Sequence, residues 1–285
     1  MENILEIKNL SKKYDGFELK NVNFSIPKGM IVGLIGENGA GKTTTIKSIL
    51  HLINKDSGSV KVFGLDMDSN EKKIKEDIGV VLDDSFLAEE LTPTDIHKIM
   101  KNIYHNWDKK LFFQYMEKFK LPKDKSIKEY SSGMKMKVKI ATALSHHPKL
   151  LILDEPTSGL DPVARSEILE IFQDFIQEED HSVFVSSHIT TDLEHIADYI
   201  VFISNGEIIL NKTRDELLDN FGIVKCSEEE FKTIDKNDYI KYKKKKFEYD
   251  VLIENKKEFK KKYDSKVIDK PTIEDIMLLY IKGGK

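Results

Sequence analysis

Gly36-Glu37-Asn38-Gly39-Ala40-Gly41-Lys42-Thr43 follows an apolar run, Met30-Ile31-Val32-Gly33-Leu34-Ile35, and precedes a segment with apolar residues at Ile46, Ile49, Leu50 and Ile53. The run has the length of a buried strand, and the spacing after it predicts a helix over Lys42 to Ile53. A strand, a G-x-x-x-x-G-K-[ST] loop and a helix in that order make a phosphate cradle. Gly36, Gly39 and Gly41 let the backbone bend and turn its N–H groups towards phosphate oxygens. The helix starting near Lys42 adds the positive end of its dipole. Lys42 is placed to reach the β- and γ-phosphates of a nucleoside triphosphate, and the Thr43 hydroxyl to ligate Mg²⁺. Glu37, Asn38, Ala40 and Thr44 belong to the same nucleotide-binding stretch.

A second apolar strand, Leu150-Leu151-Ile152-Leu153, closes on Asp154-Glu155. Ligands bind at the carboxyl ends of parallel strands, and two acids ending an apolar strand are costly unless they meet a cation or donors. Asp154 is expected to hold Mg²⁺, directly or through water, and Glu155 to polarise the attacking water as general base. His188 follows a third strand, Val183-Phe184-Val185, where it is expected to contact the γ-phosphate and orient Glu155 and the water.

Further strands are expected at Leu5 to Ile7, over Phe17 to Ile26, and at Tyr199 to Ile203. Asn205-Gly206 then turns back into Glu207 to Leu210, a hairpin. Val163 to Ile176 has helical spacing. Strands alternating with helices argue for an α/β fold with a mostly parallel sheet. Thr92-Pro93-Thr94-Asp95 is a capping-box start with proline at the first helical position, and helical patterns dominate about 85–146, a helical insertion into the α/β core. From about residue 220 the chain turns lysine-rich. Phe247, Tyr249, Val251 and Ile253 alternate as in a strand. Thr272 caps a last helix with Ile273, Ile276, Met277, Tyr280 and Ile281 on one side, open to a role as a dimer contact or as the cover of a pocket. The Lys243 to Lys246 run reads as a solvated face rather than a lipid contact. The expected division is 1–219 and a small α+β region at 220–285.

The 285 residues carry a net charge of −4, which gives no case for nucleic-acid binding. Cys226 is the only cysteine, so an intramolecular disulfide is excluded and a buried inert thiol is expected. The first ten residues hold no apolar signal core. No uncharged apolar run reaches the ~18 residues that cross a bilayer, so action at a membrane calls for a partner.

These motifs, in this order, resemble the ATP-binding subunits of ABC transporters, over about Ile4 to Asp219. The resemblance implies a P-loop ABC ATPase domain with antiparallel N-terminal strands, ATP and Mg²⁺ as cofactors, and ATP hydrolysis. It places Tyr14 as the aromatic that stacks on adenine, Ser158-Gly159-Leu160-Asp161 as the D-loop with Asp161 at the nucleotide, and His188 as the switch histidine. The family's signature, Leu-Ser-Gly-Gly-Gln, is here Tyr130-Ser131-Ser132-Gly133-Met134. Ser131, Ser132, Gly133 and Met134 are then the residues that meet ATP held by a second nucleotide-binding subunit, in a homodimer or heterodimer. Ser131 also reads as the N-cap of a helix from Met134 to His146. Where the family has the glutamine of its Q-loop this chain has Asp83, a carboxylate that touches Mg²⁺ through water. The acidic residue, the altered signature and the C-terminal extension are similar to the exporter branch that includes bacitracin-resistance and amphipathic-peptide exporters. The resemblance thus implies a transmembrane permease on a separate chain and a peripheral position on the cytoplasmic face of the membrane. A soluble single-cassette ABC ATPase, such as a metal-cluster assembly factor, is the alternative.

Overall fold

A computed structural model describes residues 2–82 and 88–284. Its central sheet has six strands in the order Glu207–Thr213, Tyr199–Ser204, Ile31–Ile35, Ser182–Ser187, Leu150–Asp154, Ile78–Val81. All pairings are parallel except the first, in which Glu207–Thr213 returns along Tyr199–Ser204. That return is the Asn205-Gly206 turn, with φ of 49° and 77°, both left-handed as a two-residue hairpin with the matching twist requires.

Ile31–Ile35, Leu150–Asp154 and Ser182–Ser187 are buried along their whole length, as strands covered on both faces must be. Alternate residues serve opposite faces. Val32, Leu34, Ile152, Phe184, Val201 and Ile203 join Ile46 and Ile49 and an antiparallel sheet built from Asn3–Tyr14, Phe17–Pro27, Ser57–Val62 and Leu65–Asp66. Ile31, Ile35, Leu151, Leu153, Val183, Val185 and Phe202 face the other way, onto helices Pro162–Phe175 and Thr190–Ile196.

The helix after the glycine-rich loop is shorter than the spacing predicts. It spans Lys42–Ile49, and Ile53 lies outside it. His51 takes φ 54°, and two bonds close the end: Leu52 N to Lys47 O at 2.9 Å and His51 N to Ser48 O at 3.2 Å. This is a Schellman cap, with histidine in the place usually given to glycine.

The helical insertion contains Pro93–Ile103, Lys109–Lys118, a short 3₁₀ turn Ile127–Glu129, and Ser132–Leu144. Thr92 and Asp95 cap the first reciprocally, each accepting from the other's backbone N–H at 3.3 Å. Ile96, Met100, Phe112, Met116 and Val138 form a cluster of the insertion's own. Helix Ser132–Leu144 ties it down by sending Met136, Ile140 and Leu144 into the main core.

The C-terminal region is a four-stranded antiparallel sheet, ordered Lys241–Lys244, Tyr249–Ile253, Gly222–Cys226, Ile268–Asp269. The expected strand from Phe247 begins only at Tyr249, because Lys245 N bonds Glu248 O at 2.8 Å and closes a tight turn. Phe247 sits in that turn, 84% exposed. In the lysine run, Lys244 pairs with Glu228 at 3.1 Å and Lys245 with Asp250 at 2.7 Å. Burial raises the pKa of the Cys226 thiol, which disfavours its thiolate.

The last helix, Ile273–Lys282, is capped by Thr272. One side of it is covered by the chain's own core. Ile273, Ile276 and Leu279 are buried in the main core beside Leu193, Ile196 and Phe202, and Ile273 N donates to Glu194 at 3.1 Å. Buried Leu279 was not on the expected apolar side, and Met277, Tyr280 and Ile281 are only partly covered.

Candidate active site

Three neighbouring parallel strands bring the expected chemistry together. Ile31–Ile35 feeds Gly36, Leu150–Asp154 ends on Asp154 with Glu155 next, and Ser182–Ser187 lies between them and leads to His188. Gly39 and Gly41 adopt φ of 81° and 115°. At Gly36 the restriction is space, since a Cβ would lie 2.4 Å from Ile203 O. Glu37, Asn38 and Gly39 are exposed, and Ala40 is buried beneath them.

Lys42 is buried, and its ammonium is held by Gly36 O at 2.8 Å, Glu37 O at 3.3 Å and Glu155 Oε1 at 3.1 Å. The Glu155 contact is an ion pair without hydrogen-bond alignment: Oε1 is buried and accepts no hydrogen bond. On the first helical turn Thr43 is exposed and Thr44 half-buried. The next hydroxyl, Thr45, is committed inward and donates to Gly41 O at 2.8 Å.

Glu155 takes φ 51°, a left-handed conformation that a long side chain adopts only when its surroundings impose it. Its N–H donates to Ser186 Oγ at 3.1 Å and Ser186 O at 3.2 Å. Ser186 Oγ in turn donates to Asp154 Oδ1 at 2.5 Å. Glu155 Oε2 accepts from His188 N at 3.3 Å and lies 2.6 Å from His188 Nδ1. One carboxylate thus bridges the loop lysine and the histidine. Ser186 was not among the expected site residues. Its signal is the sheet register, in which Asp154 stands opposite Ser186.

Buried Asp154 and exposed Thr43 are two oxygen donors beside a phosphate loop. That set fits a hard ion such as Mg²⁺, which keeps several waters and takes most other ligands from phosphate. Among the described residues no group of three or more His, Cys, Asp or Glu is arranged to hold a metal by itself. Asp83 lies outside the described residues.

Tyr14 ends its strand 43% exposed, with Lys12 Nζ 5.4 Å from its ring centroid. It pairs with Phe17 across the hairpin, and the Phe17 ring lies 3.0 Å from where a Cβ on Gly41 would be. Tyr14 therefore stands on the side of the phosphate loop. Ser131, Ser132, Gly133, Met134 and Asp161 stand elsewhere. Ser131 Oγ accepts from Met134 N at 3.3 Å and caps Ser132–Leu144, two residues earlier than the expected helix start. Asp161 Oδ1 accepts from Ala164 N at 3.1 Å and Val163 N at 3.0 Å, and these amides hold its carboxyl below the usual range. A Cβ on Gly133 would touch Ala164 at 3.4 Å, so these segments adjoin each other. Among the described residues no hydrogen bond or ion pair links them to Gly36–Thr44.

A family model described as ABC transporter matches residues 19–158. The lantibiotic transport ATP-binding protein SrtF of Streptococcus pyogenes is 38% identical over 215 residues, 74% of this chain and 92% of its own length. The bacitracin transport ATP-binding protein BcrA of Enterococcus faecalis is 35% identical over 220 residues, 76% of this chain and 71% of its own. Among solved structures, an ATP-binding subunit of an ABC transporter superposes with a TM-score of 0.68 at 29% identity, covering 75% of this chain and 91% of that one. CbiO1 of Clostridium perfringens, part of the ABC transporter complex cbiONQ, superposes at 0.66 with 27% identity over 76% and 91%.

Proposed function

Because this chain belongs to the ABC transporter family, we propose that it is the ATP-binding, ATP-hydrolysing subunit that powers export through a separate transmembrane partner. The observation that carries the catalytic part is Glu155, held in a strained backbone conformation between Lys42 and His188. A triphosphate on the glycine loop competes for the Lys42 ammonium. Glu155 is then left to take a proton from the attacking water, with His188 fixing its orientation. Thr43 and Asp154 would hold Mg²⁺, which would supply the charge neutralisation that phosphoryl transfer needs. Asp83 completes this set in our assignment. Tyr14 stacks on the adenine, and Glu37, Asn38, Ala40 and Thr44 line the phosphates. The segments remote from the loop, Ser131–Met134 and Asp161, serve the nucleotide of a second cassette.

An apolar cleft of about 220 Å³ between the core and the helical insertion supports the membrane partner. Leu50, Leu52, Val80, Leu82, Met100 and Tyr104 line it. Leu52 and Ile103 nearby are 51% and 55% exposed, an apolar surface of the kind that binds another protein. No helix among the described residues is long and apolar enough to cross a membrane. The partner supplies the spanning part, and this subunit sits on the cytoplasmic face. The names of SrtF and BcrA give lantibiotic and bacitracin transport for those proteins, and export of a molecule of that kind is the direction and cargo class we assign.

The test is purification of the tagged protein from its native cells in mild detergent. A multi-span membrane protein recovered in comparable amount supports the reading. Recovery of soluble proteins alone moves the assignment to a soluble ABC ATPase.

A further inference from the structure

Arg165 and Asp192 meet at a place that the chemistry above leaves unused. Asp192 stands in the first turn of Thr190–Ile196, one turn beyond His188, and is 4% exposed. Arg165 stands in the first turn of Pro162–Phe175, one turn beyond Asp161, and its Nη2 donates to Leu160 O at 3.3 Å. Arg165 Nε faces Asp192 Oδ2 at 3.9 Å. Both atoms are buried, and neither makes a hydrogen bond.

At that separation Asp192 Oδ2 and Arg165 Nε have given up water without gaining the bond that offsets the loss. A charge-assisted N–H···O bond is about 2.7–2.9 Å long, so a shift of about 1 Å closes it. The dipole of the Thr190–Ile196 helix accounts for an acid in its first turn. It does not account for the guanidinium aimed at that acid. Leu193 of that helix already packs close to Gly33, where an added Cβ would lie 2.7 Å from its Cδ1.

The pair joins two segments of different duty. Arg165 grips the end of the Ser158–Asp161 loop through Leu160 O, and Asp192 starts the helix that follows His188, itself 2.6 Å from Glu155. We infer that Arg165 and Asp192 form a latch. Seating of the Ser158–Asp161 loop against a second cassette draws Arg165 Nε onto Asp192 Oδ2. The closed pair then fixes the His188 segment, and through it Glu155, in the hydrolytic position. The inference rests on the cassette pairing proposed above. Arg165 and Asp192 act through His188 and are positioning residues.

The experiment compares R165M, D192N, the double variant and D192E with wild type in the full-length chain, following ATP turnover, nucleotide affinity and thermal melting. Losing one charge-assisted bond lowers kcat by about tenfold or more in each of R165M and D192N. KM for ATP and Tm stay near wild type. The double variant falls no further than R165M, which breaks the pair and the bond to Leu160 O together, and D192E recovers part of the rate. Independent, multiplying losses in the double variant overturn the latch, as do wild-type rates in the singles. So does a Tm that falls in step with the rate, which marks a merely structural pair. E155Q, assayed alongside for ATP-trapped dimers, keeps the two readings apart. If E155Q traps a dimer and the singles turn over normally, the latch alone fails. If wild type does not hydrolyse ATP and E155Q traps nothing, the nucleotide reading falls and takes the latch with it.

Discussion

Glu155 shows how much of this site is imposed rather than preferred. A glutamate at φ 51° is held there by Ser186 on its backbone and by Lys42 and His188 on its side chain. Glu155→Gln keeps the shape and removes the carboxylate we assign as base. It should retain ATP binding and lose roughly a hundredfold or more in kcat, as removal of a general base does. Single-turnover hydrolysis measures this, and a near wild-type rate would show that another group takes the proton. Lys42→Ala also frees Glu155 from its ion pair, but it removes the ammonium that we assign to the phosphates. Equilibrium titration with labelled ATP should show affinity reduced at least about tenfold, the scale of a lost charge-assisted bond.

At the scale of elements, small local devices set the ends. The Asn205-Gly206 hairpin turns the antiparallel edge strand back, and a Cβ on Gly206 would lie 1.9 Å from Glu18 O in the neighbouring sheet. Gly206→Ala therefore meets both a left-handed backbone and a backbone atom, and should cost about 2 kcal/mol or more. Thr92→Ala removes one side of a capping box on the helix that carries Met100 into the apolar cleft. It should cost about 1 kcal/mol. Urea unfolding of the two variants ranks them. Equal, negligible losses would mean that neither device contributes.

At the scale of the whole molecule the last helix packs into the core of the α/β layers, while Val224, Cys226, Tyr249, Val251 and Phe259 form a cluster of the C-terminal region's own. Ile273, Ile276 and Leu279 share one cluster with Phe172, Leu193 and Phe202 of the central α/β layers. Ile276→Ala should thus destabilise the cassette and not just the tail, by about 2–4 kcal/mol. Calorimetry should record one transition at lower temperature. Two separated transitions, with only the smaller one shifted, would show that the tail melts on its own.

The phosphate loop, the acidic strand end and the alternating α/β pattern were legible because each rests on contacts close in sequence: glycine torsions, an N-terminal helix dipole, apolar periodicity. Thr92, Asn205-Gly206 and Thr272 were legible for the same reason. The sequence also determined that Glu155 and His188 directly follow strands. It could not show that one carboxylate bridges Lys42 and His188, because that depends on sheet order: Ser182–Ser187 lies between Ile31–Ile35 and Leu150–Asp154. The bond from Ser186 to Asp154 follows from that order too. The early end of the Lys42 helix escaped the reading because histidine rarely takes the left-handed cap. The use of the last helix was undecidable from its pattern. An apolar stripe specifies that something must cover it, and only the tertiary fold decided that the cover was the chain's own core.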